Sequence, residues 1–311
     1  MNENAKNSTL QTVFYILAFT APSQKRFLIF TGFLALYLIA VTGNLLILFL
    51  VYLKPQLHTS MYFFLCNLSI LDILYISSTL PKLLYIIYTG DHSVSYNACL
   101  TQLYFFDLFA DTEPFLICSM AIDRYVAVCK PLHYPLIMSK RTCALLVVTA
   151  WFTAAVNALI LNWLVLGLSF RDFNKINNFF CDLKALISIS GHDKTYVRRF
   201  ILGEALCIGA APILLILASY GAIISTILQI QCSEGRRWKA FLSCSSHLCL
   251  VILYYGSALL LYMRNSEEGD MLFSFIFVIL VPFFNPLIYS LRNKDILRSF
   301  KRVFYCNKTT S

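Results

Sequence analysis

Charge is scarce in this chain. Lys, Arg, Asp and Glu make up only 13% of its 311 residues, against 59% hydrophobic. A soluble domain of this length could not hide so much apolar side chain, because about half its surface must stay wet. Internal repeats, linkers and low-complexity tracts are missing, so the chain reads as one domain. It contains no HExxH, no GxSxG and no paired Cys/His metal set, and the acids inside its apolar runs have no nucleophile beside them. That argues against an enzyme. Nor is there the repeated half of many transporters. Residues 1–26 lack the basic head, apolar core and small-residue cleavage site of a secretory signal, which leaves the first apolar run to serve as the insertion signal.

What the chain does have is apolar blocks. They run over 27–53, 61–85, 99–128, 143–166, 196–230, 241–263 and 271–291, each at or above the roughly 20 residues needed to cross hydrocarbon. The expected fold is an all-α membrane protein, a bundle of seven transmembrane helices. Residues 1–26 form a tail, 27–291 the bundle, and 292–311 a short amphipathic helix and tail. In that last stretch basic residues alternate with Ile296, Leu297, Phe300, Val303 and Phe304, a pattern suited to the membrane surface. Cys306 just beyond is either a palmitoylation site or a plain tail cysteine.

Seven crossings put the termini on opposite sides. With the N-terminus outside, inner segments hold 14 Lys/Arg and outer segments 11, a modest positive-inside bias. The triplet Asn7-Ser8-Thr9 is a glycosylation acceptor only if the tail is lumenal. Both signals agree on an N-terminus outside and a C-terminus in the cytoplasm. The net charge of +9 sits in short juxtamembrane loops, where anionic lipid and a cytoplasmic partner explain it better than nucleic acid does. Of eleven cysteines, nine fall in spans or on the cytoplasmic side. Only Cys99 and Cys181 stand in an oxidising location, where they are either two free thiols or one bridge tying the long loop after the fourth span over the bundle.

Polar residues inside spans need partners within the bundle, since a charge at the bilayer centre costs roughly 2.5–3.5 kcal/mol on insertion scales. Asn44, Asp72 and Asn285 are three of these. Asp107 and Asp111, one turn apart, and Glu204 on the fifth span are three more, in outer halves without a Lys or Arg at their depth. Phe105, Phe106, Phe109, Ala110 and Tyr255 would line an apolar cavity around them. Two ligands fit such a cavity: a basic amine with Asp107 or Glu204 as counter-ion, or a neutral alcohol or ketone bonded to protonated acids. Glu113 and Arg124 lie about 20° apart in azimuth. Pro114, directly after Glu113, is expected to distort the third helix near Ala110. At the inner end of that helix Asp123 and Arg124, followed by Tyr125, form an acid–base latch, and Pro286 permits a kink in the seventh span.

Six segments carry a resemblance: GNLLIL at 43–48, LHTSMYFFLCNLSILD at 57–72, MAIDRYVAVCKPLHYPLIM at 120–138, SY at 219–220, KAFLSCSSHL at 239–248 and PFFNPLIYSLRN at 282–293. In this order the chain resembles vertebrate odorant receptors, a branch of the rhodopsin-like seven-helix receptors coupled to G proteins. The resemblance implies an odorant bound in the outer half of the bundle and a stimulatory, olfactory-type G protein at the inner face, signalling through cyclic AMP. It assigns Arg124 to the G-protein contact, Asp123 to holding it at rest, and Tyr220 and Tyr289 to the pair that moves inward. Lys239 and His247 would gate the sixth helix, although His247 also reads as a satisfied polar residue. Asn44, Asp72, Asn285 and Glu113 would gather around water or a sodium ion at Asp72 and Glu113, with no other cofactor or metal. The alternative is a rhodopsin-like receptor outside the olfactory branch, for an endogenous small amine. Retinal is excluded because no lysine occupies the middle of the seventh span.

The departures also carry expectations. Ser60 stands where the resembled LHTPMY has proline, which should relax the start of the second span. Arg171 and Gly191 occupy the places of two further loop cysteines, which leaves the loop with one tether. Trp238 is an insertion before KAF.

Overall fold

The long apolar runs wind into helices because a backbone in hydrocarbon must satisfy its own polar groups. The computed structural model describes residues 13–18, 23–168, 170, 174–191, 195–229, 234–262 and 270–292, with the side chains of 23, 24, 234–246, 262, 270, 287 and 289–292 outside the description. Seven long helical runs appear among them. They are α1 (Ser23–Leu53), α2 (Ser60–Thr89), α3 (Tyr96–Cys129), α4 (Lys140–Leu166), α5 (Thr195–Gln229), α6 (Glu234–Tyr262) and α7, a run over 270–292. Taken singly, α1, α2, α4 and α5 are long and apolar enough to cross a bilayer. The helix α3 is different: Asp107, Asp111, Glu113, Asp123 and Arg124 interrupt its apolar character. It tolerates them as the central helix, packed against α2, α4, α5 and α6, with all four acids buried. The outward faces carry large apolar groups such as Leu38, Phe49, Phe152, Trp163 and Leu214. That much exposed hydrocarbon suits lipid rather than water.

Helix ends follow local chemistry. Ser95 and Ser139 cap α3 and α4, their hydroxyls accepting from the Ala98 and Thr142 amides. α2 ends at Gly90, whose φ of 77° is left-handed and whose N–H reaches Ile86 O. α5 and α7 each contain a wide i→i+5 turn, at Ala205–Ala210 and Ile276–Leu280. Such turns are inserted residues within an α-helix. They precede Pro212 and Pro282, respectively.

Beside the helical bundle stands one small sheet. β1 (Val13–Ile16) lies between β2 (Ser93–Ser95), antiparallel, and β3 (Lys175–Ile176), parallel. Part of the N-terminal tail is therefore strand, and α1 extends the first apolar run back to Ser23. The apolar Val-Phe-Tyr-Ile segment has a reason to order: Phe14 and Ile16 are fully buried, with Phe14 edge-on to Phe170 at 5.3 Å. Asn7 and the expected amphipathic helix after residue 292 lie outside the described residues.

Candidate functional site

Prolines inside helices set up the polar middle of the bundle. A proline removes the bond to the carbonyl four residues back. Pro286 thus frees Pro282 O, which the Asn44 amide approaches at 3.4 Å while also donating to Ala40 O at 3.1 Å. Gly43 makes the approach possible: a Cβ there would sit 3.3 Å from Pro286 Cγ. Pro114 likewise frees Ala110 O, and the Tyr254 hydroxyl of α6 donates to it at 2.8 Å. The expected distortion near Ala110 is resolved there, and α3 runs on unbroken.

Between these points Asn285 Nδ2 donates to both oxygens of Asp72, at 2.9 and 3.1 Å. Glu113 sits beside them, fully buried, with both carboxyl oxygens lacking a hydrogen bond. Asn44 Oδ1 and Asn285 Oδ1 lack one too. Asp72, Asn285 and Glu113 thus lie together, while Asn44 reaches the Pro282 carbonyl one turn before Pro286. The Tyr255 hydroxyl lacks a partner and lies near Glu113 and Cys118.

Toward the Cys99 end, Asp111 accepts from Asn157 Nδ2 at 2.8 Å, and Glu204 lies beside them with its Oε2 lacking a partner. Asp107 neighbours Asp111, Glu204 and Asp182, and its Oδ2 has no partner. Phe106 forms a roof with Phe180, ring centroids 4.6 Å apart, and the contacts continue through Tyr75 to Phe277. Phe109 meets Trp151 edge-on. Phe105 is a correction: 43% exposed, it stacks on the outside of Phe109 and faces away from the bundle.

The loop over this end is bridged to α3 by Cys99–Cys181. It is not held by that bridge alone. Gln102 accepts from Cys181 N and donates to Ser78 O, Asn178 donates to Ser274 Oγ at 3.0 Å, and β3 pairs with β1.

At the opposite end Asp123 accepts from the Tyr134 hydroxyl at 2.8 Å. Burial first, then the carboxylate, pushes Tyr134 up to about 12, so it is a donor at neutral pH. Arg124 and Tyr125 are half-buried, with Lys130 Nζ over the Tyr125 ring. His247 Nε2 contacts Ile117 O at 2.9 Å, and Nδ1 contacts the Tyr220 hydroxyl at 2.6 Å. Because a carbonyl only accepts, Nε2 carries the proton, and in the neutral ring Tyr220 donates to Nδ1. His247 is therefore satisfied and links α3, α5 and α6. The side chains of Lys239 and Tyr289 lie outside the described residues. A concavity opens here too, lined by Cys129, Lys130, Pro131, Leu132, His133 and Ile137, away from the acids of the Cys99 end.

The profile of a family described as "Olfactory receptor" matches residues 33–308. Olfactory receptor 1496 of Rattus norvegicus is 42% identical over 311 residues, covering 98% of this chain and 99% of that one. Olfactory receptor 1G1 of Gorilla gorilla gorilla is 40% identical over 98% of this chain and 99% of its own. The human olfactory receptor 2T3 is 38% identical over 96% and 95%. The chain belongs to the olfactory receptor family. It is a multi-pass plasma-membrane receptor and not an enzyme, and membership of this family displaces the reading as an amine receptor outside it.

Within this olfactory receptor the departure at Ser60 has a structural use. Its hydroxyl donates to Met138 O at 3.2 Å, joining the start of α2 to the loop that carries Tyr134. A proline could not make that bond. It would nevertheless suit the first position of α2, after Thr59, where no helical N–H is needed. Ser60→Pro is therefore expected to be close to neutral, within about 1 kcal/mol, as one lost hydrogen bond is offset by a pre-set φ. Melting of the purified receptor would check this, and a loss well beyond that size would show that the Ser60 bond dominates. The partners Asn157, Tyr134, Tyr254 and Ser274 were not singled out from sequence. Only Tyr254 left a signal there, in the orphan carbonyl implied by Pro114.

Proposed function

We propose that this receptor binds a small odorant between α3, α5 and the disulfide-bridged loop, with Asp107 as the anchoring group. The observation that carries this reading is the buried Asp107 Oδ2, which lacks a partner, beside Glu204, whose Oε2 lacks one too, while Asp111 is engaged by Asn157. Of the two ligand classes, a basic amine answers that geometry best: its ammonium supplies the cation that Asp107 lacks, under the Phe106–Phe180 roof. A neutral alcohol is the second reading, favoured by the gathering of Asp107, Asp111 and Glu204, since like charges placed together disfavour one another.

The N-terminus is outside and the C-terminus cytoplasmic. Ligand favours a packing in which α6 and α7 separate from α3 at the Arg124 end. Arg124, Tyr220 and Tyr289 then rearrange, and a stimulatory olfactory-type G protein docks there and raises cyclic AMP. No ligand bond is broken, and the response is limited by the ligand's differential affinity for the two packings. A sodium ion would be held by Asp72 and Glu113, with the unengaged oxygens of Asn44 and Asn285 beside them. It would supply charge compensation to the resting bundle.

A cyclic-AMP screen of matched amines and alcohols on cells expressing the receptor tests the reading. Asp107→Asn is expected to weaken the amine response at least about tenfold, since losing one partner of a buried charge pair costs about 2–5 kcal/mol. Glu204→Gln should weaken it less. An amine response unchanged in both variants would discard the counter-ion, and a response to alcohols alone would leave the neutral reading.

A further inference from the structure

Two side chains of α6 reach backbone carbonyls of α3, and the spacing matches on both helices. His247 meets Ile117 O and Tyr254 meets Ala110 O, seven residues apart on each. Two helical turns separate the contacts, so antiparallel α3 and α6 are joined by two rungs on one face. The rungs differ chemically. The amide four residues beyond Ile117 belongs to Ala121 and can close the ordinary helical bond. The amide four beyond Ala110 would belong to residue 114, which is proline and has none. Without Tyr254, Ala110 O would be an orphan acceptor at membrane depth, where water cannot replace the lost bond.

We propose that the Tyr254 hydroxyl is a positioning latch that stands in for the amide missing at Pro114, holding α6 against α3 until activation releases it. Tyr254 is buried, and its ring lies 5.5 Å from Phe277, in the wide turn of α7, and edge-on to Tyr255. From Phe277 the aromatic contacts continue through Tyr75 and Phe106 to Phe180 in the disulfide-bridged loop. The latch thus ends a chain of rings that begins at the roof over Asp107. A ligand that shifts Phe106 also shifts the ring carrying the hydroxyl. The activation half of this inference rests on the reading that α6 separates from α3.

The test uses four full-length receptors: the natural chain, Tyr254→Phe, Pro114→Ala, and the double variant. Each is purified in detergent for melting and expressed in cells for cyclic AMP normalised to surface receptor. Tyr254→Phe is expected to lower the melting midpoint by about 2–4 °C. It should raise basal cyclic AMP about fivefold, the population shift worth one net hydrogen bond. Alanine at 114 restores an N–H for Ala110 O, so in that background both effects of Tyr254→Phe should vanish. Equal effects in both backgrounds would overturn the latch and leave Tyr254 as packing only. If melting follows the pattern while basal cyclic AMP stays flat and odorant still raises it, the link to activation is overturned. If no member of the matched amine and alcohol panel raises cyclic AMP in any of the four, the reading behind the activation half has failed, and the melting comparison alone decides the latch.

Discussion

Asp72→Ala is expected to remove most of the receptor from the cell surface, while Asp72→Asn keeps a substantial part of it. Asp72 is fully buried and accepts both hydrogen bonds that tie α2 to Asn285 of α7. Alanine leaves the Asn285 amide with no acceptor and opens a void beside Glu113, whose own oxygens already lack partners. An unsatisfied buried donor costs about 1–3 kcal/mol, and breaking a buried network brings the total to roughly 3–5 kcal/mol. Three kcal/mol is about a hundredfold in a folding equilibrium, enough to empty the surface when the starting margin is small. Asparagine retains an acceptor oxygen and nearly the same volume. Flow cytometry of an N-terminally tagged receptor would show the contrast. Natural surface levels for the alanine variant would mean that the α2–α7 contact carries little of the fold's stability.

Cys99→Ser and Cys181→Ser should each lower surface receptor several-fold, and the double variant should be no worse than either. The bridge spans a sequence separation of 82 residues. Removing a native disulfide costs about 2–5 kcal/mol. The lower part of that range is expected here, because α3 and α4 already restrain the intervening chain and Asn178, Gln102 and β1 hold the loop without it. Melting in the presence and absence of reductant gives an independent measure. Single variants that melt like the natural protein would show that the noncovalent contacts suffice, and a double variant far below both singles would show that the cysteines act separately.

Helices and sequence pattern agree because the two rest on the same physics. An apolar run long enough to cross hydrocarbon must satisfy its own backbone, so α1, α2, α4 and α5 could be read from composition alone. The Asp72–Asn285 contact was legible because polar groups within spans have few alternatives to one another. What stayed hidden depends on register between helices. Asn157 looks like any half-buried amide on α4, yet it faces Asp111 across the bundle. Phe105 and Phe106 are adjacent in sequence, but a helix turns about 100° per residue and sends them to opposite surroundings. β1 was missed because four apolar residues in a tail carry no signal until the loops they pair with are known.

The small sheet also constrains the order of assembly. Its central strand is made first, yet one neighbour follows α2 and the other follows α4. Residues 13–16 must therefore wait through the synthesis of about half the polypeptide before Lys175 and Ile176 arrive beside Tyr15 and Ile16. Such long-range pairings close late. The strand is consequently a marker of maturity: Phe14 can sink against Phe170 only in a chain whose first four crossings are complete.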